Sequence, residues 1–288
     1  MTTAAHHAAL TVAPGAGDRP RVNELCYESI NRSPFIADQI ADLPAQIEAA
    51  ADAGFSWMGI DRPSIDQHCE RGGTLEELAR GLDARGVKCF ELQPLVVTDD
   101  ERQTLADAER LGELVDALRP PWVQCGLSGE VSPAALANFR RAGEMLAGLG
   151  ARLAVEFLPF LPLCSIAKTR ALLDATEVPG AAIVVDTWHF FHGPDDWSDL
   201  DALTLDELAY PQFDDHPPLL GDDLMEETTE RRVLPGDGVF DLSRFAKTLR
   251  DKGYSGPVSV EILSAELRRL PLPEFARRVY AAALPYWS

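Results

Sequence analysis

The sequence is short of positive charge. Its 288 residues include 46 Asp and Glu against 26 Lys and Arg, a formal net charge of −20. Nucleic-acid affinity comes largely from Lys and Arg neutralising phosphates, so this balance argues against a DNA or RNA partner, and equally against an anionic membrane surface. Long apolar runs are also missing, and none approaches the ~20 residues of a membrane span. The opening MTTAAHHAALTVAPGAGDRP lacks the basic and apolar regions of a secretory signal. Residues 1–20 read as a flexible tail in which His6 and His7 have no role. Paired cysteines are lacking too: Cys26, Cys69, Cys89, Cys125 and Cys164 are odd in number and form no C-x-x-C. They read as the thiols of a cytoplasmic protein rather than a disulfide framework.

What is present is a repeat of alternating signals. Strand-like apolar runs occur at NELCY (23–27), WMGID (57–61), VKCFEL (87–92), WVQCG (122–126), LAVEF (153–157), AIVVD (182–186), AYPQFD (209–214) and VSVEIL (258–263). Most segments between them have apolar residues at helical spacing. DLPAQIEAAADAGF and TLEELARGLDARGV, for example, carry them at i, i+3, i+4 and close on a glycine. Alternating strands and helices imply a parallel sheet. Eight even units over residues 21–288 imply one closed (β/α)8 barrel, a fold of about 250 residues. An open doubly wound sheet is the competitor, and the first strand is followed by no G-x-G-x-x-G.

Active sites of such barrels form at the C-terminal ends of the strands. There the sequence supplies Glu156 from strand five, Asp186 from strand six, Gln212 from strand seven and Glu261 from strand eight. Three carboxylates converging on one rim would raise one another's pKa, and a divalent cation relieves that repulsion. An all-oxygen set suits one Mn or Mg ion, with Co as a further candidate. Four protein ligands leave positions for substrate oxygens.

With these positions in view, VEFLP, VVDTWHFF, PQFDD, RVLPGDGVFDL and VSVEIL, in this order, resemble the sugar phosphate isomerase/epimerase family of xylose isomerase-like barrels. The resemblance implies a single divalent metal on Glu156, Asp186, Gln212 and Glu261, and a substrate-contacting His189. Several epimerases of the family carry His at the third ligand. Gln212 looks more like the dehydroshikimate dehydratase branch. Arg232 is expected to pair with a substrate carboxylate, phosphate or carbonyl. His68, Glu91 (read as ending strand three) and Trp188 are expected at the rim as substrate contacts. His192 and His216 read as solvated.

The chemistry expected is proton abstraction next to a carbonyl, with Glu156 or Glu261 as base and His189 able to shuttle a proton. Isomerisation or epimerisation of a keto-sugar or related polyhydroxy carbonyl compound is the leading reading. The alternative is dehydration of a cyclic keto-polyol of the 3-dehydroshikimate or inosose kind. An abasic-site nuclease on the same fold needs a His-rich zinc site and a basic face, and the chain has neither. A non-catalytic barrel would have lost rim ligands, and all four positions are filled. No stretch argues for a particular oligomer, although a homo-oligomer fits the resemblance.

Overall fold

A computed structural model of the chain describes residues 23–36 and 42–288. The expected tail over 1–20 lies outside the described residues. Eight parallel strands close into a barrel: β1 (Leu25–Glu28), β2 (Trp57–Asp61), β3 (Lys88–Val97), β4 (Trp122–Leu127), β5 (Arg152–Glu156), β6 (Ala182–Asp186), β7 (Leu208–Gln212) and β8 (Val258–Val260). Closure is made where β1 lies in register with both neighbours, Cys26 facing Trp57 on one side and Ser259 on the other.

Helices form the outer layer. The helix α1 (Leu43–Ala53) ends on Gly54 in the left-handed conformation, φ +109°, which only a residue without Cβ adopts cheaply. After β2 comes α2 (Arg62–Glu70), then α3 (Leu75–Arg85), which starts with a capping box of Thr74 and Glu77. The long helices α4 (Glu101–Leu118), α5 (Pro133–Gly148) and α6 (Ile166–Thr176) follow β3, β4 and β5. The short α7 (Thr187–His192) and α8 (Trp197–Ala202) leave β6, while α9 (Leu224–Glu230) and α10 (Leu242–Asp251) lie between β7 and β8. The last helix, α11 (Leu272–Trp287), packs beside α1, with the Asn23 N–H donating to the Trp287 carbonyl at 2.9 Å.

Two apolar regions result. The larger joins the outward faces of the strands to the helices, through residues such as Tyr27, Leu92, Val155 and Phe275. The smaller fills the lower barrel lumen with Cys26, Phe90, Trp122, Ala154, Val184 and Tyr210. Above this plug the inward positions turn polar, and there the site lies. None of the described helices is long and apolar enough to cross a membrane.

Candidate metal centre and active site

Each rim carboxylate is set by strand alternation. Inward positions recur every second residue, so β6 points Ala182, Val184 and then Asp186 into the lumen. Asp186 is fully buried, and two elements share it. Its Oδ1 caps α7 by accepting the His189 N–H at 3.1 Å, and its Oδ2 accepts from Arg232 Nη1 at 2.8 Å. Burial alone would raise its pKa. The Arg232 guanidinium and His189 outweigh that and hold it below the usual carboxylate range.

The cap fixes where the imidazole goes. One turn into α7, His189 Nε2 stands 3.2 Å from Glu156 Oε1. Glu156, Asp186 and His189 each present a ligand-type atom within 4.8 Å of the others. His189 Nδ1 is buried with no partner, so a proton on Nε2 facing Glu156 is the tautomer that satisfies more of the ring. Trp188 meets His189 edge-on with ring centres 5.4 Å apart. Phe160 approaches His189 from another side at 6.5 Å.

On the opposite flank, Gln212 Nε2 donates to Glu261 Oε2 at 2.6 Å, and Gln124 Nε2 lies 3.4 Å from Gln212 Oε1. Burial pushes the Glu261 carboxyl well up, and the charges of Glu156 and Asp186 add to this against the pull of Arg232. The four residues expected as ligands are therefore gathered on one rim. The trio with metal-type spacing contains His189 in addition to Glu156 and Asp186.

Several expected substrate contacts lie elsewhere. Arg232 does not extend into the mouth but is 1% exposed inside the carboxylate cluster. Its Nη1 lies 2.8 Å from both Asp186 Oδ2 and Asp214 Oδ2 and 4.0 Å from Glu261 Oε1. Its Nε and Nη2 donate to the Thr228 carbonyl and hydroxyl. Glu91 does not end its strand, because β3 runs on to Val97, and the side chain is fully buried in the lumen. Trp188 has no exposed surface and backs His189 instead of lining an open wall. His68 sits in the last turn of α2, over Gly73, where an added Cβ would meet its Nε2 at 2.1 Å.

Neither His192 nor His216 is solvated as expected. His216 is fully buried, with Nε2 3.2 Å from Glu227 Oε2, and His192 is half-buried against it with ring centres 5.2 Å apart.

Sequence reasoning missed the partners of this site. Asp214 is buried and shares Arg232 with Asp186, and its Oδ1 has no partner. Burial raises its carboxyl, with the Asp186 charge acting in the same sense. Asp215 organises the loop after β7 by accepting from the N–H groups of His216, Gly236, Gly238 and Phe240. The signal for Gln124 was available, since it alternates inward with Trp122 on β4.

A divalent cation fits this donor set. Asp186, Asp214 and Glu261 gather around the Arg232 guanidinium and Glu156 lies beside Asp186, so the carboxylates outnumber the permanent cation. Rotating the Gln212 amide by half a turn would aim its oxygen at the cluster. The two amide atoms are not distinguished by shape. The Gln124 Oε1 atom, buried without a partner, could then accept from Gln212 Nε2 if its own amide turned with it.

Comparison with known proteins agrees with the geometry. The model of the xylose isomerase-like TIM barrel family matches residues 47–281. An inosose isomerase of Halalkalibacterium halodurans is 25% identical over 267 residues, covering 87% of this chain and 92% of that protein. A 3-dehydroshikimate dehydratase of Pseudomonas aeruginosa is 25% identical over 240 residues, 80% of this chain but 37% of that longer enzyme. Among solved structures, the IOLI protein with a binding zinc atom superposes with a TM-score of 0.81 at 18% identity, over 92% of this chain and 98% of that one. The chain belongs to the xylose isomerase-like TIM barrel family.

Proposed function

We propose that this protein is a divalent-metal-dependent isomerase or epimerase of a polyhydroxy carbonyl compound, a keto-inositol or keto-sugar. The observation that carries the reading is the junction of Glu156, Asp186, Gln212 and Glu261, from the C-terminal ends of four consecutive strands, with His189 Nε2 3.2 Å from Glu156 Oε1. The match to an inosose isomerase along nearly its whole length supports the substrate class.

A cation held by those four side chains would act as a Lewis acid on the carbonyl and the adjacent hydroxyl oxygen. The chain's own groups then divide the remaining work. Glu156 is the base, since its side chain is 18% exposed toward the mouth while that of Glu261 is 7% exposed. His189 holds Glu156 in place and can relay its proton. Glu261, on the opposite flank, returns a proton from the other side. Arg232 touches no substrate atom and fixes Asp186 and Asp214.

A dehydratase on a cyclic keto-polyol is the second reading. It is favoured by the amide at position 212 and by the similarity to 3-dehydroshikimate dehydratase.

The test is to strip the protein with chelator, restore Mn2+, and supply an inosose, a ketohexose and 3-dehydroshikimate in deuterated water. Solvent deuterium appearing next to the carbonyl, without an ultraviolet-absorbing product, supports isomerisation or epimerisation. A new conjugated or aromatic absorbance supports the dehydratase. No exchange and no product with any of the three overturns both.

A further inference from the structure

Beneath the rim, the lumen holds a second polar layer that the proposed chemistry does not use. Glu28 ends β1, Glu91 lies in mid-β3, and both are fully buried. Their carboxylates and Cys26 Sγ present atoms within 4.8 Å of one another. Ser259 Oγ stands 2.5 Å from Glu28 Oε1 and 3.0 Å from Glu91 Oε1. Gln93 Nε2 donates to Glu28 Oε2 at 2.8 Å, and the Tyr210 hydroxyl donates to Glu91 Oε2. Gly59 makes the room, because a Cβ there would fall 2.1 Å from Glu28 Oε2.

Two carboxylates side by side out of water cannot both stay charged cheaply. Among the described residues, neither is paired with a Lys or Arg. The hydroxyl of Ser259 has one proton and can donate fully to only one of its two neighbours. The other contact closes when a carboxyl proton points back at Oγ. The geometry thus calls for a proton on the pair. Burial pushes in the same direction, raising Glu28 to about 7 and Glu91 well above its ordinary value.

What the pair grips gives it a role. Tyr210 and Ser259 lie two residues before Gln212 and Glu261 on the same inward faces. The seam between their strands is thin: only Gln212 and Ser259 face each other in register, with the Phe213 N–H donating to the Ser259 carbonyl at 2.8 Å. By contrast, β2 and β3 pair at five positions, on either side of a register shift between Met58 and Gly59.

We propose that Glu28 and Glu91 are positioning residues that brace the β7–β8 seam from across the lumen, holding Ser259 and Tyr210 and so fixing Glu261 and Gln212 above them. The effect on cation binding rests on the metal-dependent reading; the brace itself does not.

The test compares Glu91→Gln with Glu91→Leu. The amide can still accept from Tyr210 and donate to Ser259, reproducing the protonated acid, while leucine fills the space without hydrogen bonds. In Glu91→Leu we expect backbone amides of residues 208–213 and 258–263 to exchange about tenfold or more faster than in the parent protein. Mn2+ affinity, read by calorimetry, should weaken about 10–100-fold. Both should stay within about threefold of the parent in Glu91→Gln. At neutral pH the infrared difference between the parent and Glu91→Gln should show the loss of a carboxylic-acid band, beyond any band that buried Glu261 and Asp214 give to both.

Unchanged exchange in folded Glu91→Leu, equal losses in both variants, or no acid band in that difference spectrum overturns the proposal. If Glu91→Leu fails to fold, Tyr210→Phe removes a single hydroxyl and should speed exchange at the same segments; no change there counts against the brace. If the parent binds no Mn2+, the metal reading falls while the exchange data still decide the brace.

Discussion

Arg232 is the residue on which the charge of the site turns. A guanidinium 1% exposed and shared by Asp186 and Asp214 draws both toward the charged form, holding the Asp186 carboxyl low while burial and the Asp186 charge still raise that of Asp214. Removing one member of a buried ion pair strands the others and costs about 3–5 kcal/mol. Arg232→Met should therefore lower the unfolding free energy, read by denaturant titration, by that order, and pairing it with Asp214→Asn should recover part of the loss. Simple additivity in the double-mutant cycle would show that Asp214 and Arg232 do not cooperate. Glu156→Gln and Glu261→Gln should each abolish turnover while circular dichroism stays native, and retained activity in either would remove that residue from the mechanism. The rim carboxylates were legible in the sequence because an apolar strand that ends in a charge, repeated on adjacent strands of a barrel, has one rim to share. The direction of Arg232 was not legible. Its partners come from β6 and from the Asp214 that follows β7, and no local pattern in RVLPGDG says whether a long side chain turns inward or out.

The loop after β7 depends on one carboxylate. Asp215 gathers four backbone N–H groups, and an Ala there would leave the buried His216 N–H without its acceptor at about 1–3 kcal/mol, with smaller losses at the three part-buried donors. Gly238 is the matching constraint, for a Cβ would sit 2.2 Å from Asp215 Oδ1 and 2.5 Å from the His216 carbonyl. Gly238→Ala should destabilise the protein by about 1–3 kcal/mol as the loop is forced off that carboxylate, which thermal unfolding would read directly. Helix α7 makes a pH prediction. Burial, with the neighbouring His216, lowers His192 from 6.5 to about 4, so the native state keeps it neutral where the unfolded chain takes up a proton. Its contribution is complete above pH 6.5 and is lost as pH falls toward 4. His192→Phe should flatten the stability profile in that window; an unchanged slope would assign the acid sensitivity to other groups. Strand positions were largely readable at this scale, and β2 and β6 coincide with their apolar runs. β3 extends five residues beyond the run read for it, past Pro94, a residue that normally signals the end of a strand. That extension moved Glu91 from the expected rim into the lumen. The two histidines were misread for a related reason: their segments look polar, but Trp188, one turn before His192, and the distant Phe240 close over both.

At the scale of the molecule, a net charge of −20 draws divalent cations to the whole surface. Stabilisation by metal is informative only if it can be traced to the rim. Diffuse attraction is screened within about 10 Å at 0.1 M salt, whereas a buried site is screened much less. An ion bound only by the native state adds about 2.7 kcal/mol at 100 times its dissociation constant. For a chain of this length that corresponds to about 5 °C in Tm. The expected outcome in 0.1–0.2 M salt is a rise of roughly that size on adding Mn2+ to chelator-stripped protein. Asp186→Asn should lose the rise, because the amide can still cap α7 through its oxygen but no longer brings a charge to the rim. A shift that survives Asp186→Asn, or that disappears with added salt in the parent protein, would place the cation on the acidic surface and leave the rim carboxylates to Arg232 alone.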